Sequence, residues 1–380
     1  MSFKLLFSLY LAGVVMFFAG CRRPVEPFKQ VSLPGESIYF VPNIKKMIAL
    51  TFDDGPNGAA TEQILNALHE RKVPATFFVI GANAERYPGI IKRMAAEGHL
   101  IGNHTYRHSR FDRVTTVEME KDIVDGNGAI EALTGVKPYW FRPPYGINGK
   151  GLETVCRRHG LVIAGWSLDA NDWNPHPVEE LVEAIVNNVT SGDIILLHDG
   201  WETRPDADRH LTVAAVPIII DKLQQAGFVF VTLPELLRNA GAPVAVFENN
   251  IRLLGLKLPA KSIRPGSQFQ ARYFWDVPGN LKGTLPSVFM HFQKTGSRYF
   301  FQDDYDLRRR RDVRDFVVRR VVQVPRNAPP GTYEIKTGLF PPAGPEAKDR
   351  IKVRSDYPQS QRAVYLSPAL KIIPVSDKSD

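Results

Sequence analysis

Met47-Ile48-Ala49-Leu50-Thr51-Phe52-Asp53-Asp54-Gly55-Pro56 is an apolar, β-prone run that stops abruptly at two carboxylates and a turn. Adjacent carboxylates repel, and a strand end tolerates them best when one holds a metal ion and the other is held by a cation or used as a base. A plain surface turn is the competing reading, because Asp, Gly and Pro are ordinary turn formers. Working outward, further strand-like runs fall at 75–80, 99–102, 139–142, 161–166, 193–197 and 228–231, after the first at 47–52. Helical stretches fit between them near 59–72, 84–97, 115–134, 150–159, 177–190 and 210–226. Such β-α alternation predicts an α/β fold with a parallel sheet and helices outside, and seven strands predict a distorted, incomplete (β/α) barrel. Reactive side chains then belong on the loops at the C-terminal ends of the strands.

The strand ends do carry polar residues. Asn103-His104-Thr105-Tyr106-Arg107-His108 puts two histidines four apart, on one face if the segment makes a helical turn. With an aspartate from the first strand end they form an Asp-His-His set with open positions for water and substrate. Zinc is the first choice for such a set, while Fe(II), Co(II), Mn(II) and Ni(II) suit the same ligands. Three more strand ends read Arg142-Pro143-Pro144-Tyr145-Gly146, Asp169-Ala170-Asn171-Asp172-Trp173 and Leu196-Leu197-His198-Asp199. Taken singly, Arg142 could be a salt bridge, Trp173 core and His198 a satisfied buried histidine.

In order along the chain, TFDDGP (51–56), HTYRH (104–108), RPPYG (142–146), DANDW (169–173) and LLHDG (196–200) resemble the five motifs of the polysaccharide deacetylase family, the NodB-homology or carbohydrate esterase family 4 domain. The resemblance covers about residues 47–239, roughly half of the chain. It implies a NodB-like barrel that removes N-acetyl groups from N-acetylglucosamine units of a cell-envelope or extracellular polysaccharide, with a metal ion and release of acetate. Carried over by position, Asp53 would be the general base, steadied by Arg142. Asp54, His104 and His108 would hold one divalent ion. Tyr145 would offer its backbone N–H to the oxyanion. His198 would be the general acid, oriented by Asp172, which would also raise its pKa. Trp173 and Leu196 would line the acetyl pocket. Family members often carry proline where this chain has Ser109, which implies an altered loop and intact ligands. O-acetyl ester hydrolysis is also allowed, as is a silent carbohydrate-binding scaffold; the complete set of base, ligands and acid favours an enzyme. His69, His99, His159, His176, His210 and His291 fit no motif, and Trp201-Glu202-Thr203-Arg204-Pro205 is expected to border the sugar groove.

At 380 residues with 44% hydrophobic content, the chain has room for two domains. The composition changes around Ala240-Gly241-Ala242-Pro243, and the deacetylase-like domain is assigned to 46–240. Beyond it, short alternating runs at 251–256, 268–275, 287–292, 316–324, 332–338 and 363–373 predict an all-β sandwich over 245–380. Pro329-Pro330-Gly331-Thr332-Tyr333 resembles a segment of immunoglobulin-like modules. At the other end, Lys4, an apolar run over 5–18 and Ala19-Gly20-Cys21 read as an export signal over 1–20, too short to span a bilayer. Phe18-Ala19-Gly20-Cys21 resembles a bacterial lipobox, which implies a lipidated Cys21, membrane anchoring in the cell envelope and a linker over 21–45. Secretion with Cys21 incidental, or an uncleaved anchor, are the alternatives. Cys156 is the second of only two cysteines, so an acylated Cys21 leaves no intrachain disulfide, and Cys156 reads as a packed small residue.

The net charge of +8 is uneven: residues 245–380 carry 24 Lys+Arg against 13 Asp+Glu, and the remainder is slightly acidic. The run Arg308 to Arg311 with Arg314, Arg319 and Arg320 suits either a solvated strand face or an anionic lipid or polymer. An exported protein makes nucleic acid a poor partner.

Overall fold

The computed structural model describes residues 34–43, 45–175, 177–241, 243, 245–247, 250–258, 262–277, 285–295, 297, 300–307, 315–340 and 364–372. The export signal, Cys21 and the arginines at 308–311 and 314 lie outside the described residues.

Nine strands form one sheet: β1 (Ser37–Ile38), β2 (Met47–Asp53), β3 (Thr76–Val79), β4 (Leu100–Asn103), β5 (Trp140–Phe141), β6 (Val162–Ala164), β7 (Leu168–Asp169), β8 (Ile194–His198) and β9 (Val229–Phe230). Their order is β1-β6-β5-β4-β3-β2-β8-β7, with β9 also on β2, and every pairing is parallel. Only residues 165–167 separate β6 from β7, which lie towards opposite ends of this order, so the sheet has to curl round to bring them together. That is the incomplete barrel. Its strands read as nearly unbroken apolar runs because both faces are covered. Ile48, Leu50 and Phe52 of β2 pack under the helices, while Ala49 joins Phe78, Trp140, Ala164 and Ile194 in a second buried cluster.

The helices are α1 (Gly58–Arg71), α2 (Gly81–Arg86), α3 (Pro88–Ala96), α4 (Thr116–Thr134), α5 (Leu152–His159), α6 (Val178–Val186), α7 (His210–Gln225) and α8 (Leu233–Arg238). The helix expected over 84–97 is divided in two, because Pro88 has no N–H and opens a new helix at its first turn. Residues 37–41, assigned above to a linker, instead supply β1 on β6, with Ile38, Phe40 and Val41 buried. The single strand expected over 161–166 stops at Ala164 and resumes as β7 on the other side of the curled sheet.

The C-terminal third contains β10 (Ala245–Val246), β11 (Arg252–Lys257), β12 (Gln268–Asp276), β13 (Ser287–Lys294), β14 (Phe300–Gln302), β15 (Tyr305–Asp306), β16 (Asp315–Gln323), β17 (Gly331–Phe340) and β18 (Val364–Ile372). They make two antiparallel sheets, β10-β11-β12-β16 and β14-β13-β17-β18, with β15 on β13. Phe269, Tyr273 and Trp275 of the first sheet share one buried cluster with Val288, Met290, Phe292 and Ile335 of the second. Arg320 pairs with Asp303, and Arg319 reaches the Ser167 carbonyl at 3.4 Å, so this part of the basic run is not a bare solvated face.

One helix bears directly on the site. α4 is opened by a capping box between Thr115 and Glu118 and closed at Gly135, whose φ of +72° suits glycine. Its Gly126 lies against the loop that follows β4: a Cβ there would sit 2.5 Å from Asn103 Oδ1 and 2.8 Å from the Thr105 carbonyl carbon. Gly128, two residues on and so on the other face of the helix, meets nothing within 4 Å. Gly126→Ala should therefore cost about 1–3 kcal/mol by overpacking, whereas Gly128→Ala should gain up to about 1 kcal/mol of helix propensity. Urea denaturation of the two variants checks the sign of each.

Candidate active site

Every motif sits at a C-terminal strand end, and the backbone there is bent hard. Of the ten described non-glycine residues with positive φ, six are in these loops: Asp54, Thr105, His108, Tyr145, Asn171 and Glu202. Such strain clusters where geometry is over-determined by surrounding contacts.

The loop 104–108 is the clearest case. His104 and His108 are brought to a ring separation of 4.9 Å, yet by a non-helical loop and not by the helical turn expected from their spacing. Thr105 N–H donates to Asn103 Oδ1 at 2.7 Å and His108 N–H to Thr105 Oγ1 at 2.9 Å. The buried Asp122 carboxylate of α4 collects the N–H groups of Tyr106, Arg107 and Ser109. A proline in place of Ser109 could not make the last of these bonds.

Asp54 Oδ1 faces His108 Nε2 at 3.1 Å and His104 Nε2 at 3.4 Å, and it is buried without a hydrogen-bond partner. The Nδ1 of His104 lies 2.7 Å from the Arg142 carbonyl, and the tautomer that donates there leaves the Nε2 lone pair aimed at Asp54. These ligand atoms all lie within 4.8 Å of one another. Three buried acceptors converging on one point suit a cation, so the residues fit a divalent metal ion. Burial alone would raise the Asp54 carboxyl, but the facing His104 and His108 rings outweigh it and hold it well below the usual carboxylate range. Its Oδ2 accepts the backbone N–H of Glu202 at 3.0 Å.

Asp53, on the same strand end, takes a different partner. Arg142 NH1 donates to Asp53 Oδ1 at 2.7 Å and to Thr51 Oγ1 at 2.8 Å, while its Nε and NH2 donate to the carbonyls of Ala164 and Gly165. The guanidinium is fully buried and stacks on Phe78.

Across the cavity, His198 Nδ1 meets Asp172 Oδ1 at 2.8 Å, and Asp172 Oδ2 accepts the His198 N–H and the Thr212 hydroxyl. Burial opposes the imidazolium, but Asp172 outweighs it and raises the His198 pKa to about 9. Asp53 and His198 are register partners on adjacent strands β2 and β8.

Asp53, Asp54, His104, His108 and His198 line one cavity of about 440 Å³, together with Tyr145, Trp166, Trp173, Leu196 and Trp201. Leu196 is buried in its floor, and Tyr145 and Trp173 stand half-exposed at its mouth. Eight of the ten residues expected from the sequence line this cavity, and the other two, Arg142 and Asp172, stand behind it on Asp53 and His198. The Tyr145 hydroxyl donates to Glu202 Oε1 at 2.8 Å, and burial with that contact pushes its pKa to about 12. Six further residues line the wall: Asp169 and Asn171 of the fourth motif, Trp201 and Glu202 just past the fifth, and Trp166 and Arg209, which no motif marked. Arg209 is buried, donates to the carbonyls of Gly200 and Asp172, and stacks on Trp201.

A family profile described as polysaccharide deacetylase matches residues 41–164. A peptidoglycan-N-acetylglucosamine deacetylase of Bacillus cereus is 40% identical over 219 residues, 57% of this chain and 97% of the relative. A chitooligosaccharide deacetylase of Sinorhizobium fredii is 39% identical over 50% of this chain and 90% of its own length. Among solved structures, a peptidoglycan N-acetylglucosamine deacetylase in complex with an N-hydroxybenzamide compound aligns with a TM-score of 0.50 and 34% identity, covering 55% of this chain and 95% of that one.

Replacing His104 or Asp54 by Ala should weaken zinc binding by more than about 100-fold, beyond what loss of an outer partner costs, whereas Asp53→Asn should retain it. Isothermal titration of the metal-free protein measures both.

Proposed function

From the premise that this chain belongs to the polysaccharide deacetylase family, we propose that the cavity hydrolyses the acetamide of N-acetylglucosamine units in a cell-envelope or extracellular polysaccharide, releasing acetate. The chain is an enzyme, a polysaccharide N-deacetylase. The observation that carries the particular reaction is the placement of two differently partnered groups on neighbouring strand ends: Asp53 held by a buried arginine, and His198 held by the buried Asp172 carboxylate.

In this reading Asp54, His104 and His108 hold one divalent ion, zinc in the first instance, which when bound supplies Lewis acidity toward the acetamide carbonyl and the attacking water. Arg142 occupies Asp53 Oδ1 and fixes the carboxylate so that Oδ2 takes the proton of the attacking water. The oxyanion accepts the backbone N–H of Tyr145, whose loop is tied across the cavity mouth by the Tyr145–Glu202 hydrogen bond. His198 then gives its proton to the leaving amine, and Asp172 stabilises the imidazolium until that moment. Leu196 and Trp173 enclose the acetyl methyl, and the half-exposed Tyr145 and Trp173 rings offer faces to the sugar. The presence of base, ligands and acid together favours this over a silent binding scaffold.

We also propose export and anchoring through a lipidated Cys21, and an immunoglobulin-like sandwich in the C-terminal third. Two features support the latter: a shared core between two antiparallel sheets, and the Tyr333 hydroxyl donating at 2.7 Å to the Pro329 carbonyl four residues upstream, similar to the tyrosine corner of such folds.

Acetate release from N-acetylglucosamine oligomers by the protein lacking residues 1–21 should vanish on chelation, return with zinc and fall at least about 100-fold in Asp53→Asn. Release that persists after chelation sinks the metal-dependent reading. The raised His198 pKa sets the alkaline limit: the acid is protonated below about 9 and lost above it. Asp172→Asn should move that limb of the kcat profile to lower pH by removing the counter-charge, and an unmoved limb would count against His198 as the acid.

A further inference from the structure

The C-terminal third packs on the barrel behind the strands that carry the cavity. Along β12, Phe269, Ala271, Tyr273 and Trp275 point into their own core, so Arg272 and Phe274 face the other way. Alternation would put them in water, yet both are buried, because that face of the sheet packs on the barrel. Phe274 stacks on Phe40 with ring centroids 3.9 Å apart, and Lys257 donates to the Val189 carbonyl.

Arg272 makes the most pointed of these contacts. Its NH1 donates to the Ser167 carbonyl at 3.0 Å, and its NH2 to Asp193 Oδ2 at 3.2 Å and to the Asn188 carbonyl. Ser167 immediately precedes β7 and Asp193 immediately precedes β8. The two are themselves linked: Ser167 Oγ donates to Asp193 Oδ1 at 2.6 Å and accepts the Ile194 N–H at 3.1 Å. Asp193 is fully buried, so its carboxylate depends on the cation and donors placed around it. Arg272, with Arg319 at 3.4 Å on the same Ser167 carbonyl, therefore ties together the roots of two short strands, and Arg272 also holds Asp193. At their far ends, β7 runs into the loop carrying Asp172 and Trp173, and β8 ends at His198.

We propose that Arg272 is a positioning residue for the proton-donating pair: by holding Ser167 and Asp193 it sets the register of β7 against β8, and so the seat of Asp172 under His198. This rests on the deacetylase reading above. The strands are hydrogen-bonded in parallel register, Leu168 to Ile195 and Asp169 to Leu196, and transmit a shift at their roots to the loops they carry.

The test uses two acyl substrates that differ in their need for an acid. An amine leaving group must be protonated, whereas the 4-nitrophenolate of 4-nitrophenyl acetate leaves without help. In the full-length zinc-loaded protein, Arg272→Met should lower kcat on an N-acetylglucosamine tetramer by about 10- to 100-fold, with KM and 4-nitrophenyl acetate hydrolysis within about twofold, and Arg272→Lys should recover most of the loss. Should Arg272→Met fail to fold, Ser167→Ala removes the Ser167 Oγ–Asp193 hydrogen bond, the tie between the two roots that Arg272 holds in place, and should give the same selective loss. A wild-type chain inactive on the tetramer sinks the functional reading itself. An active wild type with variants that lose both substrates equally, or neither, overturns the clamp alone.

Discussion

Arg142 is the interaction around which the barrel is arranged. A guanidinium with no access to water must find acceptors for its donors, and this one takes them from Thr51 and Asp53 of β2, from Ala164 at the end of β6 and from Gly165 beyond it. Its own carbonyl receives His104. One residue at the end of β5 thereby fixes the carboxylate proposed as base, the tautomer of a proposed ligand, and the point where the chain leaves β6 to cross the gap in the sheet. Burial draws the guanidinium pKa down while Asp53 opposes it, so charge and carboxylate sustain each other.

The same logic of paired burial explains the electrostatics around the cavity. Asp53, Asp54, Asp172 and Asp199 are buried within a few residues of one another in space, and each has its own answer. Asp53 has Arg142, Asp54 has two imidazoles, and Asp172 has His198 with the Thr212 hydroxyl. Asp199 accepts a hydrogen bond from the Thr61 hydroxyl at 2.6 Å and has no cation on it among the described residues, and burial lifts its pKa to about 7. It packs so tightly under the first motif that a Cβ on Gly55 would fall 2.0 Å from its Oδ2. Gly55 is therefore obligatory for a spatial reason, in addition to its place in a turn.

Much of this was legible beforehand, and the reasons differ by residue. Strand ends can be found because an apolar run breaks into charge, which is how Asp53, Asp54, His104, His108, Arg142, Asp172 and His198 were gathered. The means by which His104 meets His108 was not legible, since left-handed backbone at Thr105 and His108 is imposed by Asn103 and by Asp122 from a distant helix. Trp166 and Arg209 escaped because neither periodicity nor motif marks a residue whose role comes from what folds against it. Alternation puts Arg272 on the outward face of its strand, and only the packing of the C-terminal sheets on the barrel makes that face an interior.

Phe40 gives this packing a temporal side. It belongs to the first described segment of the chain, yet its ring is completed by Leu254 and Phe274 from the last third. While the protein is being synthesised, the barrel's own strands can pair long before that partner exists, leaving an aromatic ring and the Asp193 carboxylate uncovered. The final seal on the barrel is thus made by a later-synthesised sheet closing over an earlier segment, and a barrel halted short of it would be a nascent species, sticky at one pole and unfinished at the roots of β7 and β8.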